Sequence, residues 1–310
     1  MNQLSMDIVR VTEAAAIAAS AWIGSGEKEE ADRAATEAMR DRLNRIDFAA
    51  RVVIGEGEKD DSHGLFYGEV VGRRRDEVLH GEKEVYEICV DPIEGTRPTV
   101  TSGPEALSVL GVAHFDGALF ASKNFYSLKL AYGPRIARQA ELFVDAPIAE
   151  NLCKASRALG KSVDKIVVCV LDRPRHKPII EQVRRVGARL KLIQDCDVSG
   201  ALATCLPDSG VDLYYGVGGT PEAVIAACAM KCLGGRIQAQ LADNDARPLP
   251  GRIYMTEELV RGDCVFAATG ITNGSLLRGV RFTERGAVTH SVFMRSQSNT
   301  VRWLRTEHGN

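Results

Sequence analysis

Between residues 165 and 233 the sequence alternates short, β-branched apolar runs with segments of helical periodicity. The runs predict strands at 165–171, 189–193 and 211–217, and the segments that follow them predict helices at 178–188, 198–206 and 221–233. Strands separated by helices of this length are typical of a parallel sheet in an α/β layer. Ligands of such sheets bind beyond the carboxyl ends of the strands, so we expect functional residues in the loops that follow them.

The first half of the chain predicts an α+β arrangement. Two helical segments, at about 4–23 and 28–45, precede a series of strand candidates. These candidates lie at 51–55, 66–71, 85–90, 107–115, 118–122 and 127–132. Consecutive strands with short turns favour an antiparallel or mixed sheet covered by the two helices. Because the pattern changes near residue 147, we predict a helix-plus-mixed-sheet domain at 1–147 and an α/β domain at 148–310.

Composition excludes several classes of protein. The 310 residues carry a net charge of −2, so nothing indicates a nucleic-acid partner or an acidic membrane surface. The apolar run at 14–23 is too short to span a membrane, and the charged residues before it do not fit a signal peptide. Eight cysteines are scattered without a CxxC pair, which argues against a thiolate zinc site and favours a reducing cytoplasm.

The segment Asp91-Pro92-Ile93-Glu94-Gly95-Thr96 follows the strand predicted at 85–90. We interpret it as a rigid turn that directs two carboxylates toward one point, as a hard divalent cation requires. The hydroxyl of Thr96 adds a group that could hold a water molecule. The pattern therefore favours metal-assisted attack of water on an anionic substrate. An ordinary Asp-Pro turn is the alternative interpretation.

Two further segments have a functional and a purely structural interpretation. Glu56 and Glu58 follow the first predicted strand, and one of them could join Asp91 and Glu94 if the two strands are neighbours, or both could belong to a solvated acidic loop. Gly218-Gly219-Thr220-Pro221-Glu222 opens a predicted helix, where exposed backbone N–H groups suit a phosphate, although a capped βα turn looks the same. A dinucleotide fingerprint fails here because Pro221 stands where its last glycine belongs.

The loops after three predicted strands are expected at one edge of the second-half sheet. They carry Arg173 and Arg175, Asp195 and Asp197, and Gly219 with Glu222. Arginine forks beside a helix N-terminus would form a site for a phosphate and for sugar hydroxyls. A solvated basic loop is the alternative.

Taken together, these segments resemble the class II fructose-1,6-bisphosphatases of bacteria, which belong to the wider lithium-sensitive sugar-phosphatase fold. The resemblance runs from about residue 10 to 305. The matching stretches are Ala31-Asp32, Ala38-Met39-Arg40, VVIGEGEKD at 52–60, VDPIEGTRPT at 90–99, KLAYGP at 129–134, RPRH at 173–176, DCDV at 195–198, YYGVGGTPEAV at 214–224 and FAATGITNGSLLRGVRF at 266–282. It implies a layered α/β fold with the active site between the two halves.

The resemblance also implies a role for each matched residue. The metal ligands, for Mg²⁺ or Mn²⁺, would be Asp32, Glu56, Asp91, Glu94 and Glu222, most of them in the first domain. Thr96 would position the attacking water, and Asp91 or Glu94 would accept its proton. The substrate contacts would be Glu94, Gly95, Thr96, Tyr126, Arg173, Pro174, Arg175, Asp195, Cys196, Asp197 and Gly219.

The implied function is hydrolysis of the 1-phosphate of fructose 1,6-bisphosphate to fructose 6-phosphate and phosphate, in gluconeogenesis, by a cytoplasmic homo-oligomer. This chain departs from the family pattern in its sugar contacts: Arg173 stands where lysine is usual, Cys196 and Ala223 where glycine is common, and residues 123–125 are atypical. The same chemistry on sedoheptulose 1,7-bisphosphate or another sugar phosphate is therefore an alternative. A catalytically silent sugar-phosphate-binding protein and, from the Gly218-Gly219 turn, a nucleotide-binding oxidoreductase are two others.

Overall fold

The computed structural model describes residues 5–57, 63–79, 85–114, 117–123 and 125–309. The chain forms two compact units: Met1–Ala121 together with Val260–Asn310, and Ser122–Leu259. We call them the first and the second unit. Of the matching stretch at 52–60, residues 58–60 lie outside the described residues. No helix in the described part of the chain is long and apolar enough to cross a membrane.

The helices and strands of the described residues are numbered in chain order. The helices are α1 Ser5–Ser20, α2 Lys28–Leu43, α3 Arg75–Leu79, α4 Thr96–Val100, α5 Pro134–Ala137, α6 Ile148–Leu159, α7 Lys177–Val186, α8 Asp197–Ala203, α9 Thr220–Leu233 and α10 Thr256–Leu259. The strands are β1 Ala50–Ile54, β2 Val70–Val71, β3 Tyr86–Glu94, β4 Leu107–Ala113, β5 Tyr126–Tyr132, β6 Val167–Leu171, β7 Arg189–Ile193, β8 Leu213–Gly219, β9 Arg236–Ala242, β10 Pro248–Met255, β11 Cys264–Gly270, β12 Arg281–Thr283, β13 Gly286–Arg295 and β14 Thr300–Gly309. Short 3-10 turns occupy Val163–Lys165 and Pro174–His176. This α/β content agrees with the predicted fold class.

The first unit consists of a mixed sheet covered by α1 and α2. Its strand order is β12-β13-β11-β4-β3-β1-β2, with β14 paired to β13. Strands β1 and β3 run parallel, whereas β4 is antiparallel to both β3 and β11. Helix α2 buries Ala31, Ala35, Met39 and Leu43, which recur every four residues and therefore form one apolar stripe. These side chains and those of α1 share one core with the sheet.

The second unit has its own sheet and core. Its strand order is β10-β9-β5-β8-β6-β7. Strand β6 is parallel to both β7 and β8, which confirms the parallel arrangement expected between 165 and 217. Strands β5, β9 and β10 extend this sheet in antiparallel fashion. Helix α9 buries residues on all sides, consistent with its almost wholly apolar sequence.

The two units differ from the consecutive domains expected at 1–147 and 148–310. Strand β11 pairs with β4 along its whole length, so the C-terminal strands complete the first sheet. Strand β5, expected in the first domain, instead lies between β8 and β9 of the second sheet. The division of the chain into two units is thus set by pairing between strands that are far apart in the sequence. A change of local pattern near residue 147 does not reveal such pairing.

Two local expectations are also corrected. The segment from Asp91 to Thr96 is not a turn that follows a strand, because β3 continues through Asp91 and Pro92 to Glu94. A proline is tolerated there because Pro92 lies past the last β1 partner and at a register shift relative to β4. The segment 118–122, expected as a strand, contributes one isolated bridge between Leu119 and Val260.

Candidate active site

Helix α2 and the end of β3 bring two predicted site residues of the first unit together. Asp32 lies on α2, and Thr96 is the first residue of α4. The Thr96 hydroxyl donates a hydrogen bond to Oδ1 of Asp32 over 2.9 Å. Burial raises the pKa of Asp32 above its usual value, and the bond from Thr96 and the charge of Lys28 oppose that shift. Gly95 adopts the left-handed region (φ 98°), which lets the chain turn from β3 into α4.

A register shift places the two carboxylates of β3 on the same face of the sheet. Asp91 pairs with Val109 and Glu94 pairs with Leu107, so β3 advances three residues while β4 advances two. Paired residues of antiparallel strands share a face, and so do residues two apart on one strand. Asp91 and Glu94, three residues apart, therefore share a face because of this bulge. Oδ1 of Asp91 accepts a hydrogen bond from the Ile93 N–H at 3.0 Å, and Glu94 is buried.

Glu56 follows the strand that lies beside β3. Strand β1 pairs in parallel with β3 up to Ile54 and Cys89. Glu56 and Asp91 each stand two residues past this pair, at the same end of neighbouring strands. The backbone N–H of Glu56 donates to the carbonyl oxygen of Leu65 at 3.0 Å, which fixes the chain after the strand. The condition under which Glu56 could join Asp91 and Glu94, that their strands are neighbours, is thus confirmed.

The donor chemistry of these residues suits a divalent cation. Carboxylate oxygens are the ligands that Mg²⁺ and Mn²⁺ prefer. Across the residues that the structure describes, however, no three His, Cys, Asp or Glu side chains gather closely enough to hold a metal ion. The structure brings Asp32 to Thr96 and aligns Asp91 with Glu94, whereas Glu222 lies in the second unit. Metal ligation by the five carboxylates stays a prediction.

In the second unit, two glycines of β8 make room for acidic side chains. A Cβ on Gly219 would come within 1.7 Å of Oε2 of Glu222, and one on Gly218 within 2.2 Å of Oδ2 of Asp197. A Cβ at either position would therefore require the facing carboxylate to shift. Glu222 lies in the first turn of α9, where the helix dipole favours a carboxylate. Tyr126 of β5 pairs with Gly219 across the sheet.

The loop that follows β6 carries Arg173 and Arg175, and we call it the arginine loop. It contacts β8. Arg175 donates through Nε to the carbonyl oxygen of Val217 at 3.0 Å, and its guanidinium carbon lies 5.6 Å from the ring centroid of Tyr126. Arg173 forms an ion pair with Asp195, with 3.5 Å between Nη2 and Oδ2. Pro174 starts the 3-10 turn between the two arginines. The second unit thus brings Arg175 to Tyr126 and Arg173 to Asp195.

Lys129 is a buried residue that contacts two of the predicted substrate-binding residues, Asp197 and Gly219. It is 2% exposed, and its ammonium group donates to Asp197 and, over 2.9 Å, to the carbonyl oxygen of Gly219. The Tyr214 hydroxyl also donates to Asp197 at 3.4 Å. The pair therefore links β5, α8 and the end of β8. The available signal was a lone lysine in the apolar strand SLKLAY, because a buried charge must be paired.

His176, like Lys129, had no role assigned from the sequence. Its ring is fully buried and accepts the Val217 N–H at Nε2 over 2.7 Å, so Nδ1 donates to the Leu171 carbonyl oxygen, also at 2.7 Å. Burial, with the charges of Arg175 and Lys129, lowers the pKa of His176 below its usual value. The neutral ring ties the arginine loop to β8.

Comparison with known proteins identifies the family to which the sequence is similar. The sequence model of the family described as bacterial fructose-1,6-bisphosphatase, glpX-encoded, matches residues 2–308. The chain belongs to this family. It is 40% identical over 333 residues to a D-fructose 1,6-bisphosphatase class 2/sedoheptulose 1,7-bisphosphatase of Synechococcus elongatus, covering 98% of this chain and 96% of the relative. A protein of the same description from Synechocystis is 40% identical over 335 residues, with 99% and 96% covered.

Membership of this family decides between a phosphatase and an oxidoreductase, the two classes of enzyme that the sequence left open. The members are phosphoric monoester hydrolases by description, which confirms the predicted enzyme class and rules against a nucleotide-binding oxidoreductase. A phosphatase family of this kind also suggests dependence on a metal. The names of both relatives include the two sugar bisphosphates considered above.

Proposed function

We propose that this protein hydrolyses the 1-phosphate of fructose 1,6-bisphosphate to fructose 6-phosphate and inorganic phosphate. The match of the bisphosphatase family over residues 2–308 carries this proposal. The Asp32–Thr96 pair beside the aligned carboxylates of β3 supports it locally, because it supplies a hydroxyl and acidic groups at one strand end.

Thr96 orients the attacking water in the proposed reaction. Its hydroxyl proton is directed to Asp32, so the lone pairs of Oγ1 remain available to accept a hydrogen bond from water. The water oxygen attacks phosphorus in line with the sugar oxygen, and its proton passes to Asp91 or Glu94. The bond between phosphorus and the sugar oxygen breaks, the electron pair stays on that oxygen, and the oxygen takes up a proton from solvent water while Asp91 or Glu94 returns its proton to solvent.

We assign Asp32, Glu56, Asp91, Glu94 and Glu222 as the residues that hold Mg²⁺ or Mn²⁺. Such cations supply charge neutralisation at the phosphoryl group and a more acidic water. Arg175, with Tyr126 packed against it, and the turn at Gly219 would hold the distal phosphate and the sugar. Asp195, Cys196 and Asp197 would line the same sugar site, since they follow β7 next to the arginine loop.

The test is release of phosphate from fructose 1,6-bisphosphate with Mg²⁺, with Mn²⁺ and with a chelator. We expect turnover with a divalent cation, loss of turnover on chelation, and recovery when the cation is added back. Turnover that persists at full rate after chelation would contradict the metal assignment. Tight binding of the bisphosphate without any release of phosphate would show a catalytically silent binding protein.

Sedoheptulose 1,7-bisphosphate is the second candidate substrate. The names of both relatives include it, and Cys196 and Arg173 replace common residues on the sugar side of the proposed site. Comparing kcat/KM for the two bisphosphates, with a sugar monophosphate as control, decides between a single and a dual specificity.

We also propose a cytoplasmic location and assembly into a homo-oligomer. All eight cysteines are free thiols, which suits a reducing compartment. Light scattering coupled to gel filtration measures the oligomeric state directly.

A further inference from the structure

The C-terminal corner of the first unit contains a cavity of about 600 Å³. Strand β12, the turn after it, and the paired strands β13 and β14 line this cavity, and three of the lining residues are Arg281, Arg285 and Arg305. None of its lining residues belongs to the proposed active site. The proposed reaction gives this corner no role.

The strand register shows which side chains share this side of the sheet. Arg281 pairs with Val288, and Arg305 pairs with His290. Val288 and His290 are two residues apart on β13, so all four side chains lie on one face. The two strands that flank β13 thus direct an arginine each to the same face of the corner.

The corner is positively charged in a chain that is weakly negative overall. Arg281, Arg285 and Arg305 outnumber the two acidic lining residues, Glu284 and Glu307. Glu307 pairs with Arg305 across 2.7 Å, and this exposed pair leaves the guanidinium accessible to a second partner. Three donor forks around one cavity suit a doubly charged anion better than a single carboxylate.

The pKa of His290 reflects the positive charge of the arginines around this corner. Burial lowers its pKa below the usual value, and the charges of Arg278, Arg305 and Arg281 lower it further. Its Nδ1 is buried and has no hydrogen-bond partner among the residues that the structure describes. An anion bound between the arginines would offset their charges and stabilise the protonated ring.

We propose that this cavity binds a phosphate group through Arg281, Arg285 and Arg305. Arginine recognises phosphate through paired N–H donors, and a phosphate carries close to two charges above pH 7. The volume exceeds that of one phosphate ion, and Val288, which lines the cavity on the same face as Arg281 and Arg305, borders the space for an attached organic body. The group can therefore arrive as inorganic phosphate or as a small phosphate monoester.

The test measures binding and does not depend on turnover. We would follow the ring signals of His290 by NMR at pH 7, assigned by their loss in His290→Gln, while adding inorganic phosphate at constant ionic strength with chloride. We expect saturable shifts toward the protonated form. Arg281→Gln and Arg305→Gln should each weaken binding about tenfold, as expected for loss of a charged hydrogen-bond donor.

Arg10→Gln is the matched control, because it removes the same charge from an exposed position on α1 and should leave the affinity unchanged. Unchanged thermal midpoints of all variants would show that folding is intact. His290 signals that respond to phosphate no more than to chloride, or equal affinity in all three arginine variants, would overturn the proposal.

Phenyl phosphate distinguishes the two sources of the group. Binding several-fold tighter than that of inorganic phosphate would assign the cavity to a phosphate monoester. Equal or weaker binding would assign it to inorganic phosphate. Phosphate bound at the proposed active site does not involve Arg281 or Arg305, so failure of this test and failure of the proposed reaction are distinguishable.

Discussion

At the scale of single residues, Thr96 is the group that we propose to orient the attacking water. It directly follows the left-handed Gly95, and Asp32 fixes the direction of its hydroxyl proton. We expect Thr96→Ala to lower kcat by roughly 10²–10⁴-fold, as is typical when a positioned proton-transfer group is lost, while KM changes little. Thr96→Ser keeps the hydroxyl and should retain most of the activity. Steady-state phosphate release measures both variants, and a wild-type kcat in Thr96→Ala would remove this residue from the mechanism.

Lys129 and Asp197 form an ion pair that we expect to affect both the stability of the protein and the proposed sugar site. Both side chains are buried, and Lys129 also holds the Gly219 carbonyl oxygen. Lys129→Met leaves the Asp197 charge buried without its partner, so we expect a loss of about 3–5 kcal/mol in the free energy of unfolding.

Replacing both partners removes the unpaired charge. The double variant Lys129→Met with Asp197→Leu should recover a large part of that loss, and urea unfolding measures both variants. A double variant no more stable than the single one would argue against the buried charge as the cause. Neither variant is expected to bind the sugar normally, because the Gly219 turn loses its support.

At the scale of elements, His176 joins the arginine loop after β6 to β8 only while its ring is neutral. Its folded-state pKa is lowered, so below about pH 6.5 the unfolded chain binds a proton that the folded chain resists. The lowered pKa of His176 therefore adds to the free energy of unfolding in full above about pH 6.5. This addition is lost progressively as the pH falls toward the folded-state pKa.

We therefore expect the wild-type protein to lose stability more steeply than His176→Gln between pH 6.5 and 5, by up to about 1.4 kcal/mol per pH unit. Other titrating groups are common to both proteins and cancel in the difference. Urea unfolding at several pH values measures it. Parallel curves would show that protonation of His176 does not affect folding.

The elements also show which kinds of structure the sequence could predict. Helices α1, α2 and α9 and the strands β6 to β8 follow local periodicity, and all were expected within a few residues. The alignment of Asp91 with Glu94 follows from a bulge against β4, which no local pattern encodes. Cys196 is similar: its φ of 66° explains why glycine suits that position, yet the angle depends on the turn between β7 and α8. Lys129 and His176 went unassigned because their partners lie up to 90 residues away.

At the scale of the whole molecule, the chain leaves the first unit after Ala121 and returns to it at Val260. Strands β11 and β13 then complete the sheet that β4 would otherwise end. Val265, Ala267, Ile271 and Phe293 enter the first core from this returning segment, whereas the second core takes its residues from 128–253. The core of the first unit therefore depends on the segment that begins at Val260.

Truncation after Leu259 should consequently unfold the first unit and leave the second unit folded. Loss of a buried large aliphatic or aromatic side chain costs about 2–5 kcal/mol, and the missing segment removes Ile271 and Phe293 along with whole strands. That loss is comparable to the total stability of a typical domain, about 5–15 kcal/mol. We expect limited proteolysis of the truncated chain to degrade residues 1–121 and to leave a resistant fragment near 122–259, identified by mass spectrometry. The full-length chain under the same conditions is the control. A truncated chain in which residues 1–121 resist the protease as well as they do at full length would show that the first core does not depend on β11 to β14.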